Sequence, residues 1–351
     1  MRTLRLLTAS LAALLLAGCP PTLSKPRGAA HLASMAAGAR DQRAGRLDEA
    51  ARDFAEAART AERRVDKDEA LYRQTQVLRQ ARRFAEAVTI LDEIAARRPV
   101  SRRTARATYD AAFLRDHALG EHEAALAGYD AVIEHYPDSG FESRALKFRL
   151  EAFDEAKDPD GALRYLDAMY AKVGDTSVGD DLLFAKAERL RERGDRDGAK
   201  AALTKLVHDH PYPYGQLWDN ALVELADMAQ QDGDVKRAIG YLRTLVHRNE
   251  ETNLVGSYTL PTMPAAQRRI AQLERDELHD YEAADRDFAR FPRKFPRSTL
   301  RDDVAYERGA MWLDQGAHAR GCKLLRAVVE DFEVGHGRRL AEERIAADCA
   351  K

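Results

Sequence analysis

The chain has 351 residues, 32% of them charged, with 56 Lys and Arg against 58 Asp and Glu and a formal charge of −2. That near-balance excludes a basic nucleic-acid-binding domain, and the charge density is that of a water-soluble chain once the first nineteen residues are passed. No Gly-rich phosphate loop, nucleophile elbow or histidine pair at metal spacing occurs, so no enzyme, cofactor, metal or small-molecule substrate is expected.

Arg2 and Arg5 precede an apolar run, Leu6 to Leu16. The run is shorter than the roughly 20 residues that cross a bilayer, and it has the layout of a secretory signal. It closes on Leu16-Ala17-Gly18-Cys19, which resembles the lipobox of bacterial lipoproteins. A membrane-buried peptidase needs small side chains beside the cut, and the Cys19 thiol accepts a diacylglycerol. A lipoprotein signal peptide is therefore expected over 1–18, with lipidation at Cys19 and a tether over 19–28 containing Pro20, Pro21, Pro26 and Gly28. Acyl chains, at about 0.8 kcal/mol per buried CH₂, would hold such a protein to a membrane. Pro20 stands where an aspartate would signal inner-membrane retention in enteric lipoproteins. The expected location is the bacterial outer membrane, lipid-anchored and facing the periplasm.

From residue 29 a single rule repeats. Ala125, Tyr129 and Val132 lie at i, i+4 and i+7, one stripe of a helix, and Pro137 stops that helix because proline has no N–H to donate. The same offsets give Ala50, Phe54, Ala57; Ala87, Leu91, Ile94; Ala162, Leu166, Met169; and Ala199, Leu203, Leu206. They continue with Ala238, Leu242, Leu245; Ala284, Phe288, Phe291; and Gly321, Leu325, Val328. The anchors are spaced 37, 38, 37, 37, 39, 46 and 37 residues. Five residues before the anchor stands Gly45, Gly120, Gly194, Gly233 or Gly316, at the left-handed turn that ends the preceding helix. A near-constant period of this size means stacked repeats.

These stripes, with Pro99, Pro137, Pro211 and Pro296 after them, resemble the second helix of the tetratricopeptide repeat family. The first helices match through Leu71, Tyr109, Leu146, Leu183 and Leu222, whereas Arg268 departs from the pattern. The resemblance implies an all-α fold: a right-handed solenoid of about eight helix-turn-helix units over 29–335, with an insertion at 249–264 and a capping helix over 336–351. It also implies a concave surface, lined mainly by first helices, that binds peptides or folded partners.

Between these units lie the candidate sites. Arg97, Arg98, Arg102, Arg103 and Arg106 cluster near one turn and read as a solvated helix end, with a phosphate site as the rival. Asp158-Pro159-Asp160-Gly161 and Asp195-Arg196-Asp197-Gly198 read as turns and N-caps rather than calcium loops. His208 and His210 sit at i and i+2 without a third ligand, so no zinc site is expected. Tyr212, Tyr214 and Trp218 are candidates for a partner surface or for packing between units. Gly256, Pro261 and Pro264 preclude continuous helix through the insertion, where Leu254, Tyr258 and Leu260 either meet a partner or tuck into the protein. Phe291 to Arg301 is a basic patch, again read as a solvated helix end. Cys322 and Cys349 come level if the last two helices run antiparallel, which permits a disulfide without fixing it.

His135-Tyr136-Pro137-Asp138-Ser139 and Phe295-Pro296-Arg297-Ser298 are locally similar to repeats of the lipoprotein subunit of the outer-membrane barrel-assembly machinery, and a pilotin-like role fits equally. The functional expectation is a lipid-anchored adaptor whose partners are other cell-envelope proteins. A lipoprotein that binds peptidoglycan or polysaccharide through Tyr212, Tyr214, Trp218 and Tyr258 is the alternative.

Overall fold

A computed structural model describes residues 26–98, 100–247, 250–252, 256–258 and 262–349. In chain order its helices form eight successive pairs. These are α1 (Ala29–Arg43) with α2 (Leu47–Thr60), α3 (Arg64–Gln80) with α4 (Phe84–Ala96), α5 (Thr104–Leu114) with α6 (His122–His135), and α7 (Glu142–Glu155) with α8 (Pro159–Val173). Then come α9 (Val178–Glu192) with α10 (Arg196–Asp209), α11 (Trp218–Gln231) with α12 (Val235–His247), α13 (Thr262–Asp276) with α14 (Tyr281–Lys294), and α15 (Arg301–Asp314) with α16 (His318–Asp331). A last helix, α17 (His336–Asp348), packs on α15 and α16. The architecture is an α-solenoid of helix pairs. The all-α expectation takes one amendment: within the insertion, β1 (Glu250–Thr252) pairs antiparallel with β2 (Gly256–Tyr258), Glu250 opposite Tyr258.

Contacts divide the chain into two compact bodies, the first ending at Ala152 inside α7 and the second beginning at Phe153. Within each body, the core is the repeated stripe. Ala50, Ala87, Ala125, Ala162, Ala199, Ala238, Ala284 and Gly321 are all buried, and so are the residues four and seven positions after each. Each large aliphatic or aromatic side chain so buried contributes about 1.5–3 kcal/mol. Gly321 replaces alanine for a steric reason: a Cβ there would lie 2.7 Å from Cγ and 2.8 Å from the backbone N of Leu313 on α15.

The turn inside each pair makes a demand that the sequence meets unevenly. Gly45, Gly120, Gly194, Gly233 and Gly316 have φ between 70° and 82°. In the three repeats without glycine, the same left-handed position is held by Arg82 (59°), Lys157 (54°) and His279 (54°). A side chain in this region costs on the order of 1–2 kcal/mol, partly offset because glycine loses more chain entropy on folding. Replacing Arg82, Lys157 or His279 by Gly is therefore expected to raise stability by about 0.5–1 kcal/mol each. Urea unfolding of the three single variants checks this; unchanged midpoints would remove the strain assigned to these turns.

Buried acids join one repeat to the next. The Leu217 N–H donates to Asp180 Oδ2 at 3.0 Å, the Thr262 hydroxyl to Asp219 Oδ2 at 2.7 Å, and the Gly337 N–H to Asp302 Oδ2 at 2.8 Å. Each acid stands nineteen residues before its anchor and is at most 8% exposed. These acids satisfy donors at the start of the following first helix, which would otherwise be buried without a partner.

Candidate functional site

Among the described residues three larger recesses lie mainly along first helices, and a smaller one of about 250 Å³ lies against α12 and α14. In the N-terminal body one recess of about 550 Å³ is lined by Arg27, Leu32 and Met35 around α1, Val65 and Arg73 of α3, and Arg102 before α5. A second, of about 650 Å³, lies against Gln42, Gln76, Gln80, Phe113 and His117. In the C-terminal body a recess of about 440 Å³ is bordered by Arg275, His279, Tyr306, Glu307 and Asp314 from the α13–α15 region. These walls mix charged, amide and apolar groups, the chemistry of a peptide- or protein-binding surface rather than of an enclosed small-molecule pocket. Among the described residues, no group of three His, Cys, Asp or Glu side chains could hold a metal ion, and no helix is long and apolar enough to cross a membrane.

The arginine cluster is largely neutralised from within. Arg97 pairs with Asp68 at 3.1 Å and with Glu93, and Arg103 Nε donates to Glu69 at 2.8 Å while its guanidinium lies 4.4 Å over the Tyr72 ring. Arg106 pairs with Asp110 at 3.1 Å, and Asp110 also accepts from the Tyr72 hydroxyl at 2.8 Å. Arg98 and Arg102 remain exposed, without an acidic partner among the described residues. In the second basic patch, Phe291 and Phe295 are core residues, and burial lowers the Lys294 ammonium from its usual value. Asp158 and Asp195 cap α8 and α10, accepting from the Gly161 and Gly198 N–H groups at 2.8 and 2.9 Å.

For the aromatic segment the structure shows packing between repeats at Trp218, one of the two readings left open by the sequence. Trp218 is 2% exposed at the start of α11, and half-buried Tyr212 packs on it with ring centroids 5.9 Å apart. Both belong to the core between repeats, so Trp218 is not available to a partner. Tyr214 alone of the three is open, at 86% exposure. Tyr258 lies in β2, while Leu254, Leu260 and Cys19 fall outside the described residues. Cys322 on α16 and Cys349 at the end of α17 are joined as a disulfide, with Cα atoms 5.7 Å apart.

Sequence reasoning passed over a buried polar cluster at the period break. Arg243 of α12 reaches Glu274 of α13 at 2.6 Å and Asp287 of α14 at 3.0 Å. Burial, then the neighbouring Asp287 carboxylate, pushes the Glu274 carboxyl up from an ordinary 4.5 to about 7, against the pull of Arg243. A raised folded-state value means that this group's stabilising contribution is complete below about pH 4.5 and is lost as pH rises through 7. The melting temperature should fall between pH 5 and 8, and Glu274→Gln should flatten that slope. At pH 8 the variant should be more stable than the parent by about 1–3 kcal/mol. Equal slopes in parent and variant would show that Glu274 does not carry the effect.

Comparison with known proteins follows the same lines. Residues 106–139, spanning most of α5 and all of α6, match the tetratricopeptide repeat family. No curated protein matches the chain. A solved tetratricopeptide repeat protein from Parabacteroides merdae is similar over 79% of this chain and 98% of its own, at 16% identity and a TM-score of 0.35. The C-terminal part of a repeat-containing protein from Cytophaga hutchinsonii is similar over 77% of this chain and 98% of its own, at 10% identity and a TM-score of 0.43. Neither likeness extends to partner or superhelix. Tetratricopeptide repeats typically mediate protein–protein interaction, and the matched segment is one repeat of this chain.

Proposed function

We propose that the chain is a lipid-anchored periplasmic adaptor that holds other cell-envelope proteins against the recesses of its first helices. The observation that carries this reading is the run of helix pairs, whose first helices border recesses of about 650 and 440 Å³ lined by mixed charged and apolar groups. Cys19, after its apolar run and small residues, supports attachment to the outer membrane. The partners would then be proteins of outer-membrane, secretion or pilus assembly, and the chain itself would carry no catalytic activity. The glycan-binding alternative is less favoured, since Trp218 is core and Tyr212 packs against it, which leaves Tyr214 as the open aromatic of those three.

Cells fed a clickable fatty acid test the anchor and the partner together. The parent chain should be labelled, sediment with outer membranes and bring the same proteins down after crosslinking. Cys19→Ala should be unlabelled and leave the membrane fraction. A parent chain that is unlabelled and freely soluble would contradict the anchor, and one that captures no protein reproducibly would contradict the adaptor.

A further inference from the structure

We propose that one edge of the N-terminal body, formed by the N-terminal ends of α1, α3 and α5, seats directly on an anionic lipid surface. The inference rests on the anchored reading of Cys19 and adds to it an orientation. Five large hydrophobic side chains are conspicuously exposed among the described residues, and three of them, Leu32 (45%), Val65 (58%) and Val100 (55%), belong to this edge. Leu32 and Val65 line the same recess as Arg27, Arg102 and Arg103, and Val100 immediately precedes Ser101 of that recess.

The charge on this edge is unevenly paired. Asp66 is held by Arg63 at 2.6 Å and Arg27 at 3.4 Å, Asp68 by Arg97 at 3.1 Å, and Glu69 by Arg73 at 3.2 Å and by Arg103. Glu62 remains as an exposed carboxylate. Against it stand Arg98, which donates to the carbonyls of Ala95 and Arg97, and Arg102, both exposed. Cations beside exposed aliphatic side chains are what a lipid–water interface takes up: the guanidinium meets phosphate and the apolar group enters the acyl boundary.

The position of the chain start points the same way. Cys19 precedes Arg27 by eight residues, which extend at most to about 26–29 Å. A lipid on Cys19 would therefore hold this edge within about 26–29 Å of the headgroups. The acyl chains on Cys19 would supply the attachment, and the basic-apolar edge beside them would set how the N-terminal body faces the membrane.

The test is vesicle flotation of the chain from residue 19 onward, unacylated and carrying Cys19→Ala, with phosphatidylglycerol-containing vesicles and with pure phosphatidylcholine vesicles. Binding is expected to the anionic vesicles only and should weaken with salt. Arg98→Glu with Arg102→Glu should lower it by about tenfold or more, Val65→Asp with Val100→Asp should also weaken it, and Arg164→Glu should not change it. Circular dichroism confirms that each variant is folded. Equal binding to neutral vesicles, no binding to either, or full binding by the Arg98/Arg102 variant would overturn the proposal. If vesicles are ignored while an acidic peptide binds in an Arg102-dependent way, the surface belongs to a protein partner instead. Fatty-acid labelling of Cys19 is scored separately in cells, so failure of the anchor and failure of this edge are distinguishable.

Discussion

Tyr129→Ala is expected to destabilise the N-terminal body by about 3–5 kcal/mol, the range for truncating a fully buried aromatic side chain. Tyr129 is completely buried, four residues after the Ala125 anchor, with the Phe148 ring stacked at 5.3 Å and Tyr109 tilted at 6.1 Å. Its hydroxyl is 3.5 Å from Asp116 Oδ2, at the outer limit of a hydrogen bond. Tyr129→Phe should therefore cost less than about 1 kcal/mol, and the pair of variants separates lost volume from lost polarity. Urea unfolding followed by circular dichroism measures both. Because a repeat array is held together by neighbour contacts, the loss should show first in the N-terminal body. A Tyr129→Ala chain that unfolds like the parent would mean that the Ala125–Tyr129–Val132 stripe does not face the core.

Breaking the Cys322–Cys349 disulfide is expected to cost about 3–4 kcal/mol in the chain-entropy description of a loop of 27 residues. The loss should be confined to the end of the chain. Leu313, Leu325, Val328 and Ala341 form a small separate core there, and α17 rests on it with few other buried residues of its own. Asp302 also grips the start of α17 through the Gly337 N–H, so the helix should fray from its C-terminal end first. Hydrogen exchange on Cys322→Ser/Cys349→Ser should show faster exchange in α17 and the end of α16, with α1 to α6 unchanged. Unaltered exchange in α17 would mean that packing alone holds that helix and that the disulfide adds little.

Much of the fold was legible because helix geometry leaves a periodic trace. A residue placed at i, i+4 and i+7 must share a face, so the anchors from Ala50 to Gly321 marked second helices that are indeed buried on that stripe. Where the trace is not periodic, the reading ran out. Arg82, Lys157 and His279 hold the same left-handed backbone as Gly120 but carry no glycine signal, since the strain is local and tolerated. The β1–β2 hairpin has strands of three residues, too short for alternation to be visible. Asp180, Asp219 and Asp302 leave no local signal in the sequence because their partners lie some 35 to 43 residues later in the chain. Trp218 stays open in the sequence between a partner surface and packing between units, because a lone aromatic at a helix start gives no clue to which neighbour covers it. The recesses are harder still, since Leu32, Val65 and Arg102 meet only through packing of three first helices.

The most direct test of the account places a photo-crosslinking residue at four positions in living cells. Gln42 and Gln76 line a first-helix recess of the N-terminal body. Arg52 and Glu86, 76% and 56% exposed, lie on second helices. The account predicts that Gln42 and Gln76 yield the same envelope-protein adducts, while Arg52 and Glu86 yield few. Equal yields from all four positions, or adducts only from the second helices, would contradict the claim that this chain binds its partners through its first helices.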